Sequence, residues 1–326
     1  MNLKMNTNKK ILIVAGGTGG HIFPAIVFGR ELENKNNEVK WLCGSRELEK
    51  EIYSSANINP FRLAISGSPL GTRSIKKILG RSFALVKSFF QTRKFIKNFK
   101  PDEIFLFGGY VSFAPLLIAK LKKIPVTLHE QNAIAGKVTR LALKWGAKII
   151  TGWPECEGIN NFSYVGIPVR EPVKINRGEA LETLGLELDT NKKIIGIAGG
   201  SLGSGALNEI LLKTAELCKD FEFVFLSHER KDEANAHFIP PQWDMNPFYS
   251  ICDVIVCRAG GSTLAEILKW KIPAVTIPWP EAADNHQVKN AQEFIKLSES
   301  SRIFYENDAS GVLASPEDLA KILKNM

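Results

Sequence analysis

Short runs rich in β-branched residues alternate along this chain with stretches of helical pattern. Strands are expected at Ile11 to Ala15, Val39 to Cys43, Phe61 to Ile65, Ile104 to Phe107, Val126 to Glu130 and Lys148 to Thr151. Helices are expected from Phe23, through the basic stretch before Asp102, and from Ser112. Alternation of this kind implies parallel strands with helices on both faces of the sheet. The pattern lapses between Val165 and Glu179, where proline, glycine and charge accumulate as in a linker. It then resumes, with strands expected at Ile194 to Ala198, Phe221 to Leu226, Val254 to Cys257 and Ala274 to Ile277 and helices from Gly205, Ser262 and Asn285. The simplest architecture is two doubly wound, Rossmann-like α/β domains, residues 1–165 and 166–326, with an interdomain cleft and ligands at the carboxyl ends of the strands.

Composition agrees with that picture. A chain of 326 residues, 44% apolar and 23% charged, can fill two cores and is neither disordered, collagen-like nor a coiled coil. Its five cysteines form no C-x-x-C pair and suit a reducing cytosol. The longest charge-free apolar stretch, Ile104 to Ala119, is broken by Gly108, Gly109 and Pro115 and is too short to cross a bilayer. The polar segment Met1 to Lys10 lacks the apolar centre of a secretion signal, so the protein is expected to stay inside the cell.

Charge sharpens the picture in one place. The formal net charge is +8, yet no acidic residue occurs between Glu51 and Asp102, where ten basic residues interleave with Ile75, Leu79, Phe83, Val86, Phe90 and other apolar positions. Such a segment is either a solvated helix on a core or a surface that docks on anionic lipid, each Lys or Arg near the headgroups contributing about 1 kcal/mol. Nucleic acid is not expected as a partner, because no nucleic-acid-binding module accompanies the patch.

Glycine-rich turns stand where strands are expected to give way to helices: Gly16 to His21 (GGTGGH), Gly199 to Gly205 (GGSLGSG) and Gly260 to Thr263 (GGST). Glycine admits positive φ and close backbone approach, and the amides at a helix start favour an anion. A nicotinamide fingerprint fails at Ile22, where its third glycine would stand, and no Gly-Lys-Ser/Thr follows to make a P-loop.

Taken together, GGTGGHIFP from Gly16, GGYVS from Gly108, HEQNAIAG from His129, Gly199 to Ser201, CRAGGSTLAE from Cys257 and HQVKNA from His286 resemble the MurG glycosyltransferases, in the family's order and over most of the chain. The resemblance implies a two-domain GT-B fold. It also implies transfer of N-acetylglucosamine from UDP-N-acetylglucosamine to the 4-hydroxyl of the muramyl sugar of undecaprenyl-linked lipid I, giving lipid II. Carried over by position, the donor contacts fall on Thr18, Gly19, Gly20, Asn132, Arg170, Ser201, Gly261, Ser262, Thr263, Leu264, Ala265, Glu266 and Gln287. The residue types suit a diphosphate (backbone amides, Ser201 and Ser262 hydroxyls, the Arg170 fork) and a ribose (Glu266), although Glu266 could equally serve the helix dipole.

The chemistry needs a base for the acceptor hydroxyl. His21, at a helix start whose dipole disfavours the imidazolium, is the expected base; it could instead bond the acceptor pyrophosphate or cap the loop. Glu130 is the substitute base, though a carboxylate at a strand end is often structural. No D-x-D occurs, so no metal or other cofactor is expected, and helix dipoles with Arg170 would meet the leaving-group charge. The basic segment then finds a reason, because a lipid-linked acceptor lies at the cytoplasmic leaflet. Departures from the family are Ile167 for asparagine, Leu202 for glutamine, a shorter stretch from Ser227 to Asp244, and an end at Met326 short of the final crossing helices. A different GT-B glycolipid synthase, a UDP-N-acetylglucosamine 2-epimerase and a binding-only relative remain as rivals.

Overall fold

The computed structural model describes residues 7–69, 74–199, 205–227, 235–306 and 315–326. The chain forms two compact units, Met1–Val169 and Arg170–Met326. In the first, β1 (Lys10–Val14), β2 (Glu38–Cys43), β3 (Phe61–Arg62), β4 (Glu103–Leu106), β5 (Val126–Glu130), β6 (Lys148–Thr151) and β7 (Ser163–Tyr164) lie in the order 3-2-1-4-5-6-7. Every pairing is parallel. Between them run α1 (Gly19–Glu33), α2 (Glu47–Ser55), α3 (Ile75–Phe99), α4 (Phe113–Lys122) and α5 (Lys137–Lys144).

Alternate side chains of β1 feed two apolar layers. Ile11 and Ile13 pack with Ile22, Phe28 and Leu32 of α1. Leu12 and Val14 pack on the other face with Ile96 of α3 and Leu116 of α4. Burial on both faces is why these strands read as continuous apolar runs.

In the second unit, α6 (Arg177–Leu184) precedes β8 (Lys193–Ala198), α7 (Gly205–Leu217), β9 (Phe221–Leu226), β10 (Ala236–Ile239), α8 (Asn246–Ile251), β11 (Val254–Cys257), α9 (Gly261–Trp270), β12 (Ala274–Thr276), α10 (His286–Leu297), β13 (Arg302–Ile303) and α11 (Pro316–Lys324). The strand order is 10-9-8-11-12-13, again parallel throughout.

The differences from the sequence reading are local. The strand expected from Phe61 to Ile65 pairs only at Phe61 and Arg62, and the short edge strands β7, β10 and β13 were not foreseen. The basic stretch is one 25-residue helix, α3. Arg81 on it is half-buried and donates to the Ser68 carbonyl at 2.9 Å, so it secures a loop rather than joining the exposed face. Ile167 is buried against Gly152, whose missing side chain leaves room for it. All five cysteines are buried and unpaired, and among the described residues no helix is long and apolar enough to cross a membrane.

Two sites test this packing. A Cβ on Gly29, in mid-α1, would overlap the Trp41 indole, whereas one on Gly80 of α3 meets nothing within 4 Å. Gly29→Ala should therefore lower the urea midpoint by the equivalent of about 1–3 kcal/mol despite its better helix propensity. Gly80→Ala should raise it by up to about 1 kcal/mol. His129, 1% exposed and stacked on Phe107, has its pKa lowered from 6.5 to about 4 by burial, partly offset by its bond to the Gly166 carbonyl. Because the unfolded chain protonates first, this histidine's contribution is complete above its ordinary pKa and is lost as pH falls toward the folded one, about 3 kcal/mol in all. The stability gap between wild type and His129→Gln, followed by denaturant titration, should shrink on acidification; a constant gap would contradict the buried neutral form.

Candidate active site

At the carboxyl end of β1 the chain turns through Gly16 to Thr18 into α1, and a buried carboxylate fixes the turn. Glu49 Oε1 accepts the Gly17 amide at 2.8 Å and the Tyr110 hydroxyl. The Tyr53 hydroxyl donates to the Ala15 carbonyl at 3.0 Å, and Arg46 Nη1 donates to the Gly17 carbonyl at 3.1 Å. The His21 amide bonds back to the Thr18 carbonyl at 3.1 Å. The anion seat expected of this loop is thereby narrowed, because Gly17 and His21 spend their amides inside it. Thr18 is the N-cap of α1, yet its hydroxyl makes no cap bond to an amide and instead meets His21 Nδ1 at 3.1 Å.

The GGYVS turn after β4 lies against that histidine. Gly108 has φ +77°, and a Cβ there would stand 3.4 Å from His21 Cδ2 and 3.5 Å from Nε2. The positive φ calls for glycine, whereas a Cβ would make only ordinary contact with the imidazole. The Ser112 hydroxyl holds the turn by donating to the Gly108 carbonyl at 2.6 Å.

The HEQN segment closes the same end of the sheet. Glu130 is 4% exposed. Its Oε1 accepts the Asn132 amide at 3.0 Å and Asn132 Nδ2 at 3.2 Å; its Oε2 accepts the Gly136 amide at 3.0 Å and the Thr139 hydroxyl at 2.5 Å. This corrects the expectation of a substitute base. With four donors on two oxygens, Glu130 ties the HEQN turn to the start of α5 and fixes Asn132. The intervening Gln131, which the sequence reading passed over, is 3% exposed, and neither its Nε2 nor its Oε1 has a hydrogen-bond partner. Its Oε1 lies 3.8 Å from the Cβ position of Gly108, on the side where His21 stands.

In the second unit, α9 begins at Gly261 behind an extended Gly260. Gly261, Ser262 and Thr263 are its first three positions, whose amides have no carbonyl a turn earlier to bond within the helix. Leu264 differs from the expectation: its side chain is fully buried in the core and its amide bonds the Gly260 carbonyl at 3.0 Å, so it offers a ligand neither. Ala265 and Glu266 are half-buried.

Burial pushes the Glu266 carboxyl up, opposed by the Tyr249 hydroxyl, which donates to Oε2 at 2.9 Å, and by the nearby Arg170 charge. Arg170 is exposed and directs Nη1 to the Trp243 carbonyl at 2.6 Å. Arg170, Glu266 and the α9 start are thus neighbours in space. Tyr249, buried on α8, joins them without any local sequence signal. Gln287, on α10, accepts the Trp279 amide at 2.9 Å, and Asn290 Nδ2 reaches the Ala259 carbonyl at 3.1 Å, which ties α10 to the turn before α9. Ser201 and Leu202 lie outside the described residues.

Comparisons with known proteins align with both halves. Residues 11–151 match the glycosyltransferase family 28 N-terminal domain and residues 194–326 its C-terminal domain. A transferase of Coxiella burnetii, named UDP-N-acetylglucosamine–N-acetylmuramyl-(pentapeptide) pyrophosphoryl-undecaprenol N-acetylglucosamine transferase, is 34% identical over 96% of this chain and 86% of its own. The Protochlamydia amoebophila protein of the same name is 31% identical over 89% of this chain and 81% of its own. The crystal structure of Acinetobacter baumannii MurG superposes with a TM-score of 0.72 at 28% identity, covering 97% of this chain and 90% of that one. Likeness of this extent, running through both halves, makes the chain a member of the MurG family within glycosyltransferase family 28.

Proposed function

We propose that this protein transfers N-acetylglucosamine from UDP-N-acetylglucosamine to the 4-hydroxyl of the muramyl sugar of undecaprenyl-pyrophosphoryl-muramoyl-pentapeptide, converting lipid I to lipid II in peptidoglycan synthesis. One observation carries the reading: a transferase named for that reaction matches 96% of the chain at 34% identity. The second unit is the donor-binding part. Amides of Gly261, Ser262 and Thr263 hold the diphosphate at the positive end of α9, Arg170 adds a fixed charge, and Glu266 accepts the ribose hydroxyls. Ala265, Gln287 and Ser201 complete that set, and the first unit contributes the backbone of Thr18, Gly19 and Gly20 and the side chain of Asn132.

His21 is the base. The acceptor hydroxyl gives its proton to the imidazole as its oxygen attacks the anomeric carbon, and the bond from that carbon to the β-phosphate oxygen breaks with its electron pair leaving on UDP. Attack opposite the leaving group inverts the centre, and the α9 amides and Arg170 offset the charge that develops on the diphosphate. Glu130 acts through Asn132, as a positioning residue.

The first unit also carries the membrane contact. On α3, Ile75, Leu79, Phe83, Val86 and Phe90 are all more than half exposed, at 75%, 67%, 74%, 55% and 59%. Their spacing of three and four residues puts them in one stripe, flanked by exposed Lys76, Lys87 and Lys94. An apolar stripe between cations suits the headgroup boundary of an anionic leaflet, where the protein would sit peripherally on the cytoplasmic face beside its lipid-linked acceptor.

Two measurements test these assignments. Radiolabelled donor mixed with lipid I should yield labelled lipid II, and His21→Ala should lower kcat by roughly 10²–10⁴ with the Kd for UDP unchanged. Label that stays in the donor while UDP still binds would make this a binding protein instead. In flotation with anionic vesicles, Lys76→Glu with Lys77→Glu and Lys87→Glu should weaken association in a salt-dependent way, and Phe83→Asp with Phe90→Asp should weaken it at any salt; undiminished flotation of both variants removes the membrane contact.

A further inference from the structure

We propose that Thr18 is a positioning residue for His21: its hydroxyl oxygen accepts the Nδ1 proton and so holds the imidazole in the tautomer whose Nε2 lone pair can take a proton. This role differs from the donor contact that the family resemblance assigns to Thr18, and it rests on the reading of His21 as the base. Three observations carry it. The Thr18 Oγ1 to His21 Nδ1 distance is 3.1 Å. A threonine at an N-cap ordinarily accepts an amide from the first turn, and Thr18 does not, its side chain being given to the histidine instead. The other edge of the ring faces the GGYVS turn, with Cδ2 and Nε2 at 3.4 and 3.5 Å from where a Cβ on Gly108 would stand, which is ordinary contact distance. Thr18 and His21 are half-buried, so an acceptor can reach the ring without the pair being dismantled.

The hydrogen bond has two possible senses, with opposite consequences. If Nδ1–H donates to Oγ1, Nε2 is the basic nitrogen, and the bond strengthens when the ring becomes an imidazolium, which raises its pKa. If the hydroxyl donates to Nδ1, the proton sits on Nε2, no base faces the Gly108 side, and the bond is lost on protonation. Among the described residues, titratable groups on the surrounding elements are Arg46 and Glu49, Tyr110, His129 and Glu130. Arg46 bonds the Gly17 and Ser66 carbonyls, Glu49 the Gly17 amide and Tyr110, Glu130 the Asn132 to Thr139 turn, and His129 is neutral by burial. None of these bonds goes to the Thr18 side chain, whose partner is His21.

The test uses the full chain with Thr18→Val, which keeps the shape, and Thr18→Ser, which keeps the hydroxyl. Thr18→Val should lower kcat by about 10–100-fold, the usual scale for residues that orient a functional histidine. UDP affinity should stay within about twofold, and the acidic limb of the kcat/KM profile for the acceptor should move to lower pH; Thr18→Ser should restore both. An unmoved limb, a shift to higher pH, or a loss of UDP affinity equal to the loss of rate overturns the proposal.

Nitrogen-15 histidine NMR gives a readout independent of turnover and of folding in the variants. Wild type should show the His21 proton on Nδ1, and a proton resting on Nε2 overturns the assignment. If wild type makes no lipid II, or His21→Ala is fully active, the parent reading fails. If His21→Ala is crippled while Thr18→Val is indifferent, only the positioning role fails.

Discussion

The carboxylate of Glu49, fully buried on α2, accepts the amide of Gly17 and the hydroxyl of Tyr110, and the layout at the carboxyl end of the first sheet follows from that arrangement. A buried charge costs several kcal/mol unless donors compensate it. Here one donor is the backbone of the glycine turn, so compensating Oε1 and shaping the turn are a single event, while Oε2 stays buried without a hydrogen-bond partner. Tyr110 remains a donor because burial, and then the neighbouring carboxylate, push its hydroxyl pKa well above the ordinary value. Arg46 lies over the Tyr110 ring at 5.3 Å and closes the group from the solvent side. With Gly17 held, α1 can start only at Gly19, and Thr18 and His21 take their places from that start.

The same device recurs. Glu130 gathers the HEQN turn onto α5, and in the second unit Glu266 is paired with Tyr249 across to α8. Glu49 and Glu266 bind groups distant in sequence and Glu130 groups within nine positions, and losing a donor strands an oxygen, which is the costlier half of a broken hydrogen bond. Helix starts supply the fields that act on anions, and these carboxylates fix where the helices start.

Much of this was readable from residue order. Runs such as Ile11 to Ala15 and Val254 to Cys257 announced central strands because both faces are buried, and the glycine turns marked the strand ends from which α1, α7 and α9 depart. The edge strands escaped notice because two to four paired residues leave too little periodicity to see. Leu264 could have been set aside from the start: Leu264 and Ile267 fall on the inward face of α9, while Thr263 and Glu266 share the other. Glu49, Gln131 and Tyr249 could not have been found. Their significance comes from partners 17 to 61 positions away, or from the lack of any, and no local pattern encodes either.

The buried cysteines also bear on how the protein withstands its surroundings. Each cysteine is buried, and burial drives its thiol pKa upward, to about 12 at Cys43, Cys156 and Cys257. Peroxides and electrophiles attack the thiolate rather than the thiol. Thiols kept buried and protonated in this way should react slowly with peroxides and electrophiles, so cysteine oxidation is a poor handle on this protein.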